Sequence, residues 1–113
     1  MSRIKAGRLR HRVDIERLVT YSDDDGIQSE VWVEHYRSVP AAVEPLSARE
    51  FVAAQAVQSG VTKRVTIRFK PDIDASMRIR HGGAIYNIEG VLEDLDSGRA
   101  YLTMPVSAGV NAG

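Results

Sequence analysis

The chain contains no cysteine, so its potential chemistry lies with three histidines, fifteen carboxylates and fifteen basic side chains. His11, His35 and His81 are never three or four residues apart, so no helix face presents a paired metal ligand. A site assembled from all three across strands is the remaining metal arrangement; separate strand-end or surface histidines account for the spacing more simply. The carboxylates gather in two runs, Asp23-Asp24-Asp25 and Glu93-Asp94-Asp96. After Gly26 the first run meets no acid until Glu30, and no bidentate glutamate stands in calcium-loop register. Both runs therefore read as solvated hairpin tips, with Asp23, Asp24, Asp25 and Gly26 available as loop contacts to a partner. No spacing forms a phosphate loop, a nucleophile elbow or a Ser/His/Asp set. Catalysis therefore has no visible carrier, and no catalytic residue or metal site is expected from these spacings.

The basic residues offer the best case for nucleic acid. Arg10, Arg12, Arg64, Arg68, Lys70, Arg78 and Arg80 fall on outward strand positions and could merge into one stripe. Two facts oppose that reading. The seven aromatics do not alternate with these arginines as a stacking platform requires. The formal net charge is also zero, whereas phosphate neutralisation usually needs a basic excess. A small barrel binding single-stranded nucleic acid is kept as the alternative function.

These side chains need a scaffold, and 113 residues with 43% hydrophobic and 27% charged content fit a single domain, 1–113, with one small core. No run approaches the ~20 apolar residues of a membrane span, and the basic start has no apolar region behind it, so a soluble, non-exported protein is expected. From Leu9 to Arg17 apolar and charged residues alternate as in a half-buried strand. Asp25-Gly26 then marks a turn into "SEVWVEHYRSV", so Arg10 to Tyr36 reads as a hairpin with a long acidic tip. Pro40 and Pro45 bracket "AAVE", and the segment "SVPAAVE" reads as an edge or bent strand. Val61 to Phe69 gives the cleanest alternation, "MRIRH" is a short strand, and Gly82-Gly83 is a two-residue turn into "AIYNIEGVLED". "RAYLTMPV" closes the pattern, leaving about eight residues at the start and seven at the end as flexible termini. The fold class expected is mainly β: a small, partly closed antiparallel β-barrel of about six strands with one short α-helix inserted, closure removing exposed edges.

The helix is the odd element. Ser47-Ala48-Arg49-Glu50 has the form of a capping box, and Gly60 supplies a left-handed stop after a helix reaching about Gln58. At 100° per residue, Phe51, Val52, Val57 and the alanines encircle it, and only Arg49, Glu50, Gln55 and Gln58 interrupt them. About three turns of such a helix do not persist uncovered in water. One flank can pack on its own barrel, and a neighbouring chain is the expected cover for the rest, the alternative being that the alanines simply tolerate solvent.

In combination, "GRLRHRVDIER", the acidic hairpin with Trp32, "VEPLSAREFVAAQAVQSGVTKRVTIRF" and "MRIRHGGAIYNIEGVLEDLDSGRAYLTM" resemble the head–tail joining proteins of tailed bacteriophages, also called head-closure, stopper or adaptor proteins. The resemblance runs from about Gly7 to Met104 and rests on the order of segments. Ala48 stands where the family often has glycine, a change that keeps the cap and favours helix. The resemblance implies a virion structural subunit that is not an enzyme and needs no cofactor, assembled in the host cytoplasm as a homo-oligomeric ring, a hexamer or dodecamer. Such a ring would close the DNA-filled capsid below the portal or adaptor protein and dock a tail terminator or tube protein. DNA would pass through the channel without sequence recognition, and no membrane is involved. Leu46 to Gln58 matches the family pattern as a contact or channel-side element. The expected subunit or partner interface comprises Arg49, Glu50, Phe51, Val52, Gln55 and Gln58 with Arg64 and Arg68 on the next strand.

Overall fold

The computed structural model describes residues 9–46, 60–93 and 98–109. Seven strands follow one another: β1 (His11–Ser22), β2 (Gln28–Pro45), β3 (Val61–Arg68), β4 (Arg78–His81), β5 (Ala84–Ile88), β6 (Leu92–Glu93) and β7 (Tyr101–Ala108). All pairings are antiparallel. The sheet order is β3-β2-β1-β4-β5-β7-β6, and β3 also pairs with β7. Six strands thus close into a ring of hydrogen bonds, with β6 as an outrigger on β7. The mainly β, closed character expected from the alternating pattern is what the chain adopts. The inserted helix expected over 47–58 lies outside the described residues.

Period-two burial explains the ring. Val13 and Ile15 from β1, Val65 and Ile67 from β3, and Leu102, Met104 and Val106 from β7 point inward and are almost wholly buried. Val39 and Ala41 of β2, Ile79 of β4, and Tyr86 and Ile88 of β5 complete the core with Ile73 and Met77. Gly82 takes φ 60°, a left-handed value that a side chain resists, and lets His81 pair directly with Ala84 across the expected two-residue turn.

The prolines need a correction. "SVPAAVE" is not an edge: its strand, β2, lies between β1 and β3, with Pro40 opposite Arg12. It is bent instead. The β1–β2 register shifts around Ile15, and Ser38 adopts φ 56°, so Pro40 sits just past an irregularity that relaxes the ladder's demand for an N–H.

β1 and β2 are also much longer than the ring needs. β4 pairs with β1 only from Asp14 to Glu16, while β1 and β2 stay paired out to Ser22 and Gln28. Six residues past Glu16, at ~3.3 Å each, carry the hairpin roughly 20 Å beyond that contact as a two-stranded arm. The principal extents, 54 × 28 × 25 Å, reflect it.

Candidate functional site

Three surfaces carry the residues of interest: the arm tip, the arm root and the outer face of β1–β2–β3. At the tip, Asp23 organises the turn. Its Oδ1 accepts hydrogen bonds from the backbone N–H groups of Asp25 and Ile27, both at 2.9 Å. The Gly26 N–H donates to the Asp23 carbonyl at 3.0 Å, and Gly26 takes φ 79°. The expected Asp-Gly turn is present, and its acids divide: Asp23 is spent on the turn, whereas Asp24 and Asp25 face solvent.

The root is braced from two sides. On the outer side, Arg78 Nε donates to Glu16 Oε1 at 2.7 Å, and its guanidinium lies 4.3 Å from the Trp32 ring centroid. Arg78 is only 5% exposed, so it is a buried strut linking β4, β1 and β2. Arg80 adds a longer contact to Glu16 Oε2, 3.5 Å. On the other side, Arg17 Nη1 lies 3.2 Å from His35 Nδ1, and His35 Nε2 lies 3.1 Å from the Asp72 carbonyl. With arginine as donor to Nδ1, the ring proton sits on Nε2 and points at Asp72. The Tyr36 hydroxyl donates to Asp72 Oδ1 at 2.5 Å, and Lys70 Nζ sits 4.4 Å above the Tyr36 ring. The donated hydroxyl hydrogen bond holds the Asp72 carboxyl below the usual carboxylate range and pushes the Tyr36 phenol up. The turn after β3 is thereby tied to the foot of the arm. No periodicity in the sequence announces this brace, because it depends on the shifted register beside Ile15.

On the outer face of β1–β2–β3, Arg64 and Arg68 fall on the same side of β3, as alternation requires. Arg64 Nε is 3.3 Å from Glu44 Oε1 and half-buried, whereas Arg68 is exposed. Arg10 and Arg12 are exposed on the same outer face, Arg12 donating to the Ser38 carbonyl at 3.3 Å. The basic stripe expected from the sequence is therefore broken. Arg78 is buried, Arg64 and Arg80 are ion-paired, and Lys70 lies over the Tyr36 ring; the three arginines each face a carboxylate across the ladder, Glu16, Glu44 and Asp14. Arg10, Arg12 and Arg68 remain as an exposed patch. The other expected interface residues, Arg49, Glu50, Phe51, Val52, Gln55 and Gln58, lie outside the described residues.

The histidines do not converge. His11 and His81 meet edge to face, with centroids 5.0 Å apart, and His35 belongs to the root brace. Burial, His11 and Lys63 hold the His81 imidazole below its ordinary value. Among the described residues no group of three histidine or acidic side chains is placed to hold a metal ion. No helix among them is long and apolar enough to cross a membrane.

Comparison with known proteins agrees with this architecture. The chain is 34% identical over 92 residues to head completion protein gp7 of Enterobacteria phage HK97, covering 77% of this chain and 81% of that protein. The solution structure of protein SF1141 from Shigella flexneri 2a superposes with a TM-score of 0.79 at 29% identity, covering 96% of this chain and 99% of the other. A chain from the virion of a native gene transfer agent particle superposes at 0.59 with 25% identity, covering 89% and 96%. The model of the phage head completion proteins matches residues 4–109, nearly the whole length, and the chain belongs to that family.

Proposed function

We propose that this protein is a structural subunit of a phage head–tail connector, forming a homo-oligomeric ring that closes the DNA-filled capsid and offers a surface to the tail. Its family membership over residues 4–109 carries the reading, and the likeness to a chain of a gene transfer agent virion supports it. The physical character of the subunit fits. A closed ring of strands presents few free edges, so the ring can be displayed at high local concentration without templating aggregation. Charges paired within the subunit leave little reason to grip a phosphate backbone, which suits a channel that must release DNA. The partners in this reading are the portal or adaptor on the head side and a tail terminator or tube protein on the other. The segment 47–58, with Phe51 and Val52, serves as a subunit or channel-side contact.

A phage lacking this chain tests the proposal. Heads should fill with DNA, then leak it and fail to take tails, and supplying the chain in trans should restore infectious particles. Normal yields of infectious particles without the chain would sink the reading.

A further inference from the structure

At one end of the ring the inward rows of four strands stop being apolar. His11 precedes Val13 on β1, Lys63 precedes Val65 on β3, His81 follows Ile79 on β4 and Tyr86 precedes Ile88 on β5. Each stands two residues from a buried side chain and so on the same side of its strand. The four meet across one mouth. The His11 and His81 rings are 5.0 Å apart, and Lys63 Nζ donates to the Tyr86 hydroxyl at 3.3 Å although β7 lies between β3 and β5. Lys63 also opposes protonation of His81 from the far side of the ring. His11 is exposed and Lys63 and His81 are half-buried, so the cluster opens to solvent.

No carboxylate answers these groups. Among the described residues the ion pairs join other side chains, and neither Lys63 nor the imidazoles of His11 and His81 take part in one. His11 also lines a recess of about 190 Å³ with Arg10, Ala42, Val43 and Glu44, and the one acid there is held by Arg64 at 3.3 Å. Because the Tyr86 oxygen accepts from Lys63, the phenol's own proton is left to donate onward. A cation, two imidazoles able to take up a proton beside an anion, and a hydroxyl donor thus converge on one spot.

The mouth also selects the kind of anion. Lys63 is the one permanent cation of the four, which matches a single negative charge, whereas a nucleic-acid backbone calls for a row of them. The interior of so small a ring is filled by side chains, so its mouth admits a side chain and not a duplex. The acidic arm tip of a second copy is a poorer occupant. Tip and mouth lie at opposite ends of β1, so that seat would string copies end to end instead of setting them side by side in a ring.

We infer that the mouth formed by His11, Lys63, His81 and Tyr86 seats one carboxylate, the side chain of an aspartate or glutamate on a different protein of the particle. Lys63 and the imidazoles supply its charge partners, and Tyr86 a hydroxyl donor. The inference rests on the connector reading above and assigns a docking point to it.

The site and its occupant are tested separately. In the isolated full-length chain, the ring C–H resonances of the histidines are followed against pH in sodium chloride and in sodium acetate of equal ionic strength. Acetate at ~0.2 M should raise the titration midpoint of His11 or His81 by about half a unit, leave His35 unmoved, and lose its effect in Lys63→Gln. Equal profiles in the two salts would overturn the anion site, whatever the place of the chain in a virion. A single-stranded oligonucleotide that displaces acetate at physiological salt would overturn the choice of a carboxylate in favour of nucleic acid. In particles, Lys63→Glu, shown by thermal melting to fold, should lower infectious yield by about tenfold or more, since like charges then oppose at the contact. If the glutamate variant does not fold, Lys63→Gln carries this arm, with a smaller loss expected. Second-site revertants should replace an acidic residue of another virion protein by a neutral or basic one. Revertants confined to this chain, at Asp24 or Asp25 above all, would overturn the inference in favour of a second copy, and unchanged yield would overturn the docking role. Normal infectious yield without the chain would overturn the connector reading and leave the acetate result standing.

Discussion

Replacing Arg78 by methionine should be among the most damaging single changes outside the apolar core. The Arg78 side chain is only 6% exposed, donates to Glu16 at 2.7 Å and stacks on Trp32, so its removal leaves the Glu16 carboxylate facing apolar surface with only the 3.5 Å contact to Arg80. Truncating one partner of a buried pair costs about 3–5 kcal/mol, and the lost cation–π contact adds ~1 kcal/mol. Glu16 keeps 15% side-chain exposure and its second arginine, which offsets part of this. We expect about 2–4 kcal/mol. For 113 residues, at ~2.1 cal/mol/K each, that lowers the melting midpoint by roughly 8–17 °C. Urea unfolding followed by fluorescence of the only tryptophan reads stability and the stacking contact together. Glu16→Gln alone should also destabilise, yet the Arg78→Met, Glu16→Gln pair should lose less than the sum, by about 1–3 kcal/mol. A cost below about 1 kcal/mol, or strict additivity, would refute the claim that this strut fixes the arm root.

Other consequences follow from the same geometry. Asp23→Ala removes the acceptor for two backbone N–H groups and should cost about 1 kcal/mol in urea unfolding while leaving the ring intact, as backbone amide exchange confined to the arm would report. Tyr36→Phe removes the hydroxyl donor, so the Asp72 carboxyl should titrate at higher pH by NMR; an unmoved titration would mean that the hydroxyl bond does not hold it down. His81 has a folded pKa below its ordinary 6.5, so the unfolded chain binds more protons around that pH and stability should fall as pH drops below about 6.5. His81→Gln should flatten that part of the profile, and an identical slope in the variant would contradict the assignment.

Strands and turns were legible because they follow local rules. Alternation gave β1, β3 and β7, and the Asp-Gly and Gly-Gly pairs marked two hairpins that the structure contains. Ring closure was foreseeable only in outline, since the β3–β7 and β1–β4 pairings join residues far apart in sequence. Pro40 left β2 open between an edge and a bent strand, and only the structure decides for the bend, because it depends on Ser38 taking a conformation that serine rarely adopts. Counting outward arginines overstated the basic surface for a related reason. Alternation gives the side of the sheet, whereas Glu16 beside Arg78 and Glu44 beside Arg64 are facts of register. The acidic tip was visible as composition, but the arm's length became evident only when β4 was seen to stop pairing at Glu16.

Imaging of the head–tail junction of particles that contain this chain tests the central claim most directly. The account predicts a ring of identical copies at that junction, each with its six-stranded body beside the next. Particles whose junction has no density for this fold, or in which the chain occurs as isolated copies elsewhere, would contradict it.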